Sequence, residues 1–212
     1  MEIGAIIEEI KGVLDEKDAL REEALKLTRE IIRLSGDTVK AVHRGDFEHA
    51  QKRLDDTGKM VRELREKLAS HPDLYYTGYV QSAHQEYVEA TLLLHYVLGE
   101  SFPRPEELGV PAADYAMGIG DFLGELRRYF LRLLIAGKIK AAENVYRDME
   151  KIYSALMELE YPKGLLNIRV KQDQARHAVE RTLEDLTRAK LNSELSERLE
   201  TTLETLKALK GD

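Results

Sequence analysis

The sequence predicts an all-α fold, a seven-helix antiparallel bundle forming one domain over residues 1–212. Three observations carry this. Apolar residues recur at intervals of three and four along the chain, the period of an amphipathic helix. Only five prolines occur, and three of them fall in the single stretch 101–111. No segment alternates apolar and polar residues over the length of a strand. With 212 residues, 43% of them hydrophobic, the chain can bury a sizeable core.

The first helix spans about 3–42, with Leu20, Ala24, Leu27, Ile31, Leu34 and Ala41 on one face and Ser35-Gly36 as a place to bend. His43-Arg44-Gly45-Asp46 reads as a stop, with Asp46 the N-cap of the next helix. That second helix has the cleanest seam: Phe47, Ala50, Leu54, Thr57, Val61, Leu64 and Leu68. So short a connection makes the two helices antiparallel neighbours. His71-Pro72-Asp73 breaks the pattern, a third helix covers about 74–100, and 101–111 is the one real loop. A fourth covers about 112–136 and ends at Gly137, and a fifth covers about 139–160. Pro162 is expected to open a sixth reaching about 190, and Asn192 to cap a seventh reaching 210.

Composition narrows the function. The formal charge of −7 argues against a whole-surface nucleic-acid binder while leaving room for a local basic face. The absence of cysteine excludes disulfides and thiolate metal sites, and it fits an intracellular, cytoplasmic protein. The N-terminus lacks the basic region of a secretory signal, and no apolar run approaches the roughly 20 residues of a membrane span. A Gly-x-Ser-x-Gly elbow, a Walker loop, a dinucleotide-binding glycine motif after a strand and a Glu-x-x-His pair are all missing.

The residues that point to chemistry are two close pairs of acids. Gln-Glu-Tyr-Val-Glu-Ala sets Glu86 and Glu89 three apart on the third helix. Gly-Asp-Phe-Leu-Gly-Glu sets Asp121 and Glu125 four apart on the fourth, among Gly118, Gly120 and Gly124. Either spacing puts both carboxylates of a pair on one helix face. Four carboxylates sharing a space repel one another unless a cation is present, and an all-oxygen donor set suits Mg²⁺ or Mn²⁺. The competing reading is ion pairing, with Arg127, Arg128 and Arg132 in reach. His84 and His95 share the acidic helix, either to move a proton or touch a phosphate or simply to pack, whereas His43, His49 and His177 are expected at the surface. Lys40, His43 and Arg44, with Lys52 and Arg53 after the turn, form the one basic cluster suited to phosphate. Tyr75, Tyr76 and Tyr79 suit either base stacking or the core.

At these residues the chain resembles the translin and Trax family of single-stranded nucleic-acid-binding proteins. Gln85 to Ala90 followed by His95 is similar to the third helix of Trax, and an archaeal origin is expected. Asp114-Tyr115 followed by Gly118, Asp121, Gly124-Glu125-Leu126 and Arg128 is similar to the Trax signature of the fourth. The resemblance continues more loosely to Asp185-Leu186, while the first two helices agree in pattern only. Translin subunits lack most of these acids and are non-catalytic. The full acidic set therefore implies the Trax type, a Mg²⁺-dependent endoribonuclease on single-stranded RNA, with single-stranded DNA a further ligand. Glu86, Glu89, Asp121 and Glu125 are the implied metal ligands, and Arg128 either neutralises a phosphate or pairs with Glu125. Residues 76–83, where translin carries its basic RNA-binding segment, hold no Arg or Lys, so RNA contacts do not transfer residue by residue. The family also implies a closed, barrel-like homo-oligomer, an octamer first of all. The rivals are a translin-like binder without catalysis, an all-helical Mg²⁺-dependent nucleotide pyrophosphatase and a structural scaffold.

Overall fold

The computed structural model describes residues 3–210, with side chains described as far as 207. Among them every regular element is a helix. There are six long helices, α1 (Ile3–Arg44), α2 (Phe47–Lys67), α4 (Gly78–Leu98), α6 (Ala112–Ile135), α7 (Ile139–Met157) and α8 (Arg169–Lys210). Two single turns lie between them, α3 (Pro72–Tyr75) and α5 (Pro105–Leu108). The all-α class stands, but the helix count and three boundaries differ from expectation.

Those differences have local causes. Pro72 starts a separate turn, so the helix expected from residue 74 begins only at Gly78. Pro162 accepts hydrogen bonds from the backbone N–H of Leu165 and Leu166 in a turn, which delays the next helix to Arg169. Asn192 lies inside α8 and opens nothing. Asparagine costs a helix interior only about 0.7 kcal/mol relative to alanine, and no glycine or proline stands beside it to force a break. Ser35-Gly36 likewise sits inside the continuous α1.

The chain divides into two compact units, one reaching to Phe122 and the other starting at Leu123 within α6. In the first unit, α1, α2 and α4 pack on one another. Residues 3–16 of α1 are exposed throughout, and α1 is buried only from Ala24 on, through Ile31, Leu34, Val39 and Val42. The predicted seam of α2 is buried from Ala50 to Leu68, whereas Phe47 at its start is 37% exposed. Lys67 pairs with Glu23 at 2.9 Å between these helices, and Lys17 pairs with Asp73.

The α1–α2 corner follows its sequence closely. Gly45 takes φ +79°, a left-handed conformation open to glycine at little cost, and the N–H of Asp46 donates to the carbonyl of Ala41. The Asp46 carboxylate then accepts from the N–H of His49 at 3.3 Å, as an N-cap does. Asp46→Ala is expected to cost about 1 kcal/mol in urea unfolding, the ordinary worth of such a cap.

In the second unit α7 packs on α8. Lys190 of α8 pairs with Glu143 of α7 at 2.8 Å, and the Gln172 side chain donates to the carbonyls of Leu156 and Leu159 where α7 ends. Arg127 donates to Asp185 at 2.7 Å and to the Thr182 hydroxyl at 3.0 Å. This ties the second half of α6 to α8. Gly137, with φ +70°, ends the last turn of α6 region before α7 begins.

Candidate functional site

The candidate site is built on α4 and the part of α6 within the first unit. Three contacts fix how they pair. His84 meets Asp114, Val88 lies against Gly118, and the Tyr96 ring stands 6.0 Å from that of Phe122. Residue numbers rise together along both helices, so they run parallel. The segment between them must carry the chain back, which accounts for a proline-containing connection over 99–111. Gly118 allows the closest approach. A Cβ there would lie 2.7 Å from two carbons of Val88 and 3.0 Å from the Gln85 carbonyl oxygen.

The acids follow from this register. At 3.6 residues per turn, with residues 84 and 88 of α4 and 114 and 118 of α6 facing each other, Glu89 and Asp121 fall on the same flank of the pair. By the same count Glu86 points away from α6. Glu125 follows Asp121 by one turn of α6. All four side chains are half-buried rather than solvated or in the core, and each has an interaction within the chain. The donors are oxygens only, as a hard divalent ion prefers. Among the described residues, however, no three His, Asp or Glu side chains are gathered into a cluster that would hold a metal. The donor types and their flank fit such an ion; a closed cage is not preformed.

The basic residues have other settings. Arg128, 54% exposed, reaches the Glu125 carboxylate at 3.7 Å within one turn of helix. So long and exposed a pair contributes little, which leaves the guanidinium accessible. Lys40 pairs with Asp37 at 3.2 Å and is 62% exposed, and Arg44 is exposed in the last turn of α1.

The histidines require corrections. His84, expected as a nucleic-acid contact, is fully buried, and its Nδ1 lies 2.7 Å from Asp114 in the core. A strand of RNA does not reach it. His43, expected at the surface, is 5% exposed at the α1 corner. His95 is directed at the chain, with Nδ1 2.9 Å from the Ser101 carbonyl and 3.4 Å from Glu100. The tyrosines divide. Tyr75 packs edge-on to Tyr76 at 5.2 Å and lies 5.5 Å from the His84 ring, and burial pushes its hydroxyl pKa up. Tyr76 is 62% exposed beside Pro72 and Arg65. Tyr79 is half-buried.

Asp114 is the residue whose role sequence reasoning missed. It stands in the first turn of α6, where the helix dipole favours an anion, yet its partner is thirty residues earlier and no local pattern joins them.

Comparison with known proteins agrees with this architecture. Residues 8–187 match the model of the Translin family. An uncharacterised protein of Methanocaldococcus jannaschii is 32% identical over 188 residues, covering 88% of this chain and 83% of that protein. The crystal structure of AfC3PO superposes with a TM-score of 0.81 at 35% identity, covering 88% of this chain and 97% of that one. Apo-NeC3PO gives 0.79 at 26% identity, covering 86% and 96%. A further structure, of an AfC3PO–duplex RNA complex, gives 0.76 at 37% identity over 88% and 97%. The family model matched over residues 8–187, most of the chain, places this protein in the Translin family.

Proposed function

We propose that this chain binds RNA and acts as a Trax-like endoribonuclease, cleaving single-stranded RNA with Mg²⁺ or Mn²⁺. What supports the reading is the register of α4 on α6, from which helix geometry puts Glu89 and Asp121 on one flank of the pair. All four acids are half-buried, and an all-oxygen donor set of this kind suits a hard divalent cation. The relative AfC3PO has been solved in a complex with duplex RNA, which supports RNA as the ligand class.

In this reading Glu86, Glu89, Asp121 and Glu125 hold the ion, and Arg128 offers its exposed guanidinium to a neighbouring phosphate in competition with Glu125. A bound Mg²⁺ supplies an activated water and neutralises charge on the scissile phosphate. Hydrolysis adds water across the P–O3′ bond and leaves a 5′ phosphate and a 3′ hydroxyl. Lys40 and Arg44 steer the strand electrostatically, a contribution that weakens as salt rises. The chain works in the cytoplasm; no helix among the described residues is long and apolar enough to cross a membrane.

The test is to incubate end-labelled single-stranded and duplex RNA with the protein in Mg²⁺ and in EDTA. Cleavage of the single strand in Mg²⁺ only, with 5′-phosphorylated products, is expected. RNA bound but uncut in both conditions would indicate a translin-like binder, and turnover of nucleoside triphosphates without RNA cleavage would indicate a pyrophosphatase.

Self-association belongs to the same proposal. Ile3, Ile6, Ile10 and Val13 form an exposed stripe on α1, each 48–61% accessible, and Leu191, Leu195, Leu199 and Leu203 form another on α8, each 55–60% accessible. Apolar stripes of this length suit burial against further copies of the chain in a closed, barrel-like octamer. Sedimentation at micromolar concentration is expected to show an oligomer of about eight copies, and Ile6→Glu with Ile10→Glu to reduce it. A monomeric parent would contradict this.

A further inference from the structure

We infer that the buried His84–Asp114 pair is a positioning device that sets the axial register of α6 on α4, and with it the separation of Glu89 from Asp121. The inference rests on the metal-site reading for its functional consequence, but not for its structural content.

The pair is an unexpected way to fill a core. His84 is 0% exposed and the Asp114 side chain 6%, at a bond length of 2.7 Å. Nε2 of the same imidazole is buried without a hydrogen-bond partner, so the polar site is incompletely satisfied. Two apolar side chains of similar volume fill such a space with equal or better stability, because they avoid desolvation. A pair retained at a place where apolar packing would serve as well calls for another role, and direction is what a hydrogen bond adds.

Direction is needed here. Immediately along the interface the Val88 side chain lies against the Gly118 backbone and the Tyr96 ring against Phe122, van der Waals packing that brings the helices close but holds no directed bond against a slide of one along the other. The bond from His84 to the first turn of α6 resists that slide. On α4 His84 lies two residues before Glu86 and five before Glu89, and on α6 Asp114 lies about two turns before Asp121. A shift of α6 by a single ångström there moves Asp121 past Glu89 by the same amount. Coordination distances tolerate only a few tenths of an ångström.

The test uses the full chain, Asp114→Ala, the closer substitute Asp114→Asn, and a double variant, His84→Phe with Asp114→Leu, that fills the space with apolar groups and keeps the fold. Circular dichroism and thermal melting establish that each is folded. Mn²⁺ affinity, read by electron paramagnetic resonance, is expected to fall at least about tenfold in Asp114→Ala and in the double variant, with Asp114→Asn recovering most of it. The value of kcat on single-stranded RNA is expected to fall in step while KM stays within about threefold. A second readout needs no metal. The chain has no cysteine, so Glu89→Cys with Asp121→Cys can be joined within one copy by a short rigid bis-maleimide, and the rate is expected to drop at least about fivefold when the double variant is added. An unchanged cross-linking rate overturns the inference. Slower cross-linking in a protein whose parent binds no Mn²⁺ upholds the register and removes the metal reading instead.

Discussion

Asp121→Asn is expected to lower cleavage of single-stranded RNA by roughly 100-fold or more while leaving RNA affinity within about threefold. The substitution keeps the size and shape of the side chain and removes its charge. If Asp121 helps to hold a divalent ion, losing one anionic ligand from an oxygen-only set weakens both the ion and the charge stabilisation it provides, an effect of the order seen when one electrostatic contact to a transition state is deleted. Binding draws mainly on basic groups that reach phosphate, so it is not expected to follow. Product release on a denaturing gel, beside filter binding in EDTA, measures the two separately. Equal cleavage by parent and variant would mean that Asp121 is structural.

Phe122→Ala is expected to cost about 3–5 kcal/mol in urea unfolding, the usual loss when a fully buried phenyl group is removed. Phe122 is 1% exposed. Its ring stands 6.0 Å from Tyr96 of α4 and 5.7 Å from Phe102 of the connecting loop, both in edge-to-face arrangement. Phe122 therefore joins α4, α6 and the return segment at the residue next to Asp121. A loss below about 1 kcal/mol would show that neighbouring side chains refill the space and that the α4–α6 contact is less rigid than the rings suggest.

What could be read from the sequence divides along physical lines. Periodic burial was legible where a helix carries an unbroken apolar seam, as from Ala50 to Leu68. The Gly45-Asp46 corner was legible because its determinants are all local. Helix ends were less so. Pro162 and Asn192 are both statistical helix-start signals, but the first sits in a hydrogen-bonded turn and the second inside a continuous helix. For the site, the spacing of each acid pair was legible, since three or four residues on a helix means one face. How the pairs stand to each other was not, because it depends on a parallel pairing created by the return of the chain over 99–111. The fates of His84 and His43 were hidden as well. A lone histidine carries no local mark of burial, and the partner of His84 lies thirty residues away.

The most direct test of the account is a crystal soaked in Mn²⁺ and measured for its anomalous signal. The account predicts a peak on the flank of α4 and α6 shared by Glu89 and Asp121, with carboxylate oxygens of the four acids at coordination distance, about 2.0–2.3 Å. A crystal showing Mn²⁺ elsewhere only, with these acids paired to arginines or facing bulk water, would contradict it.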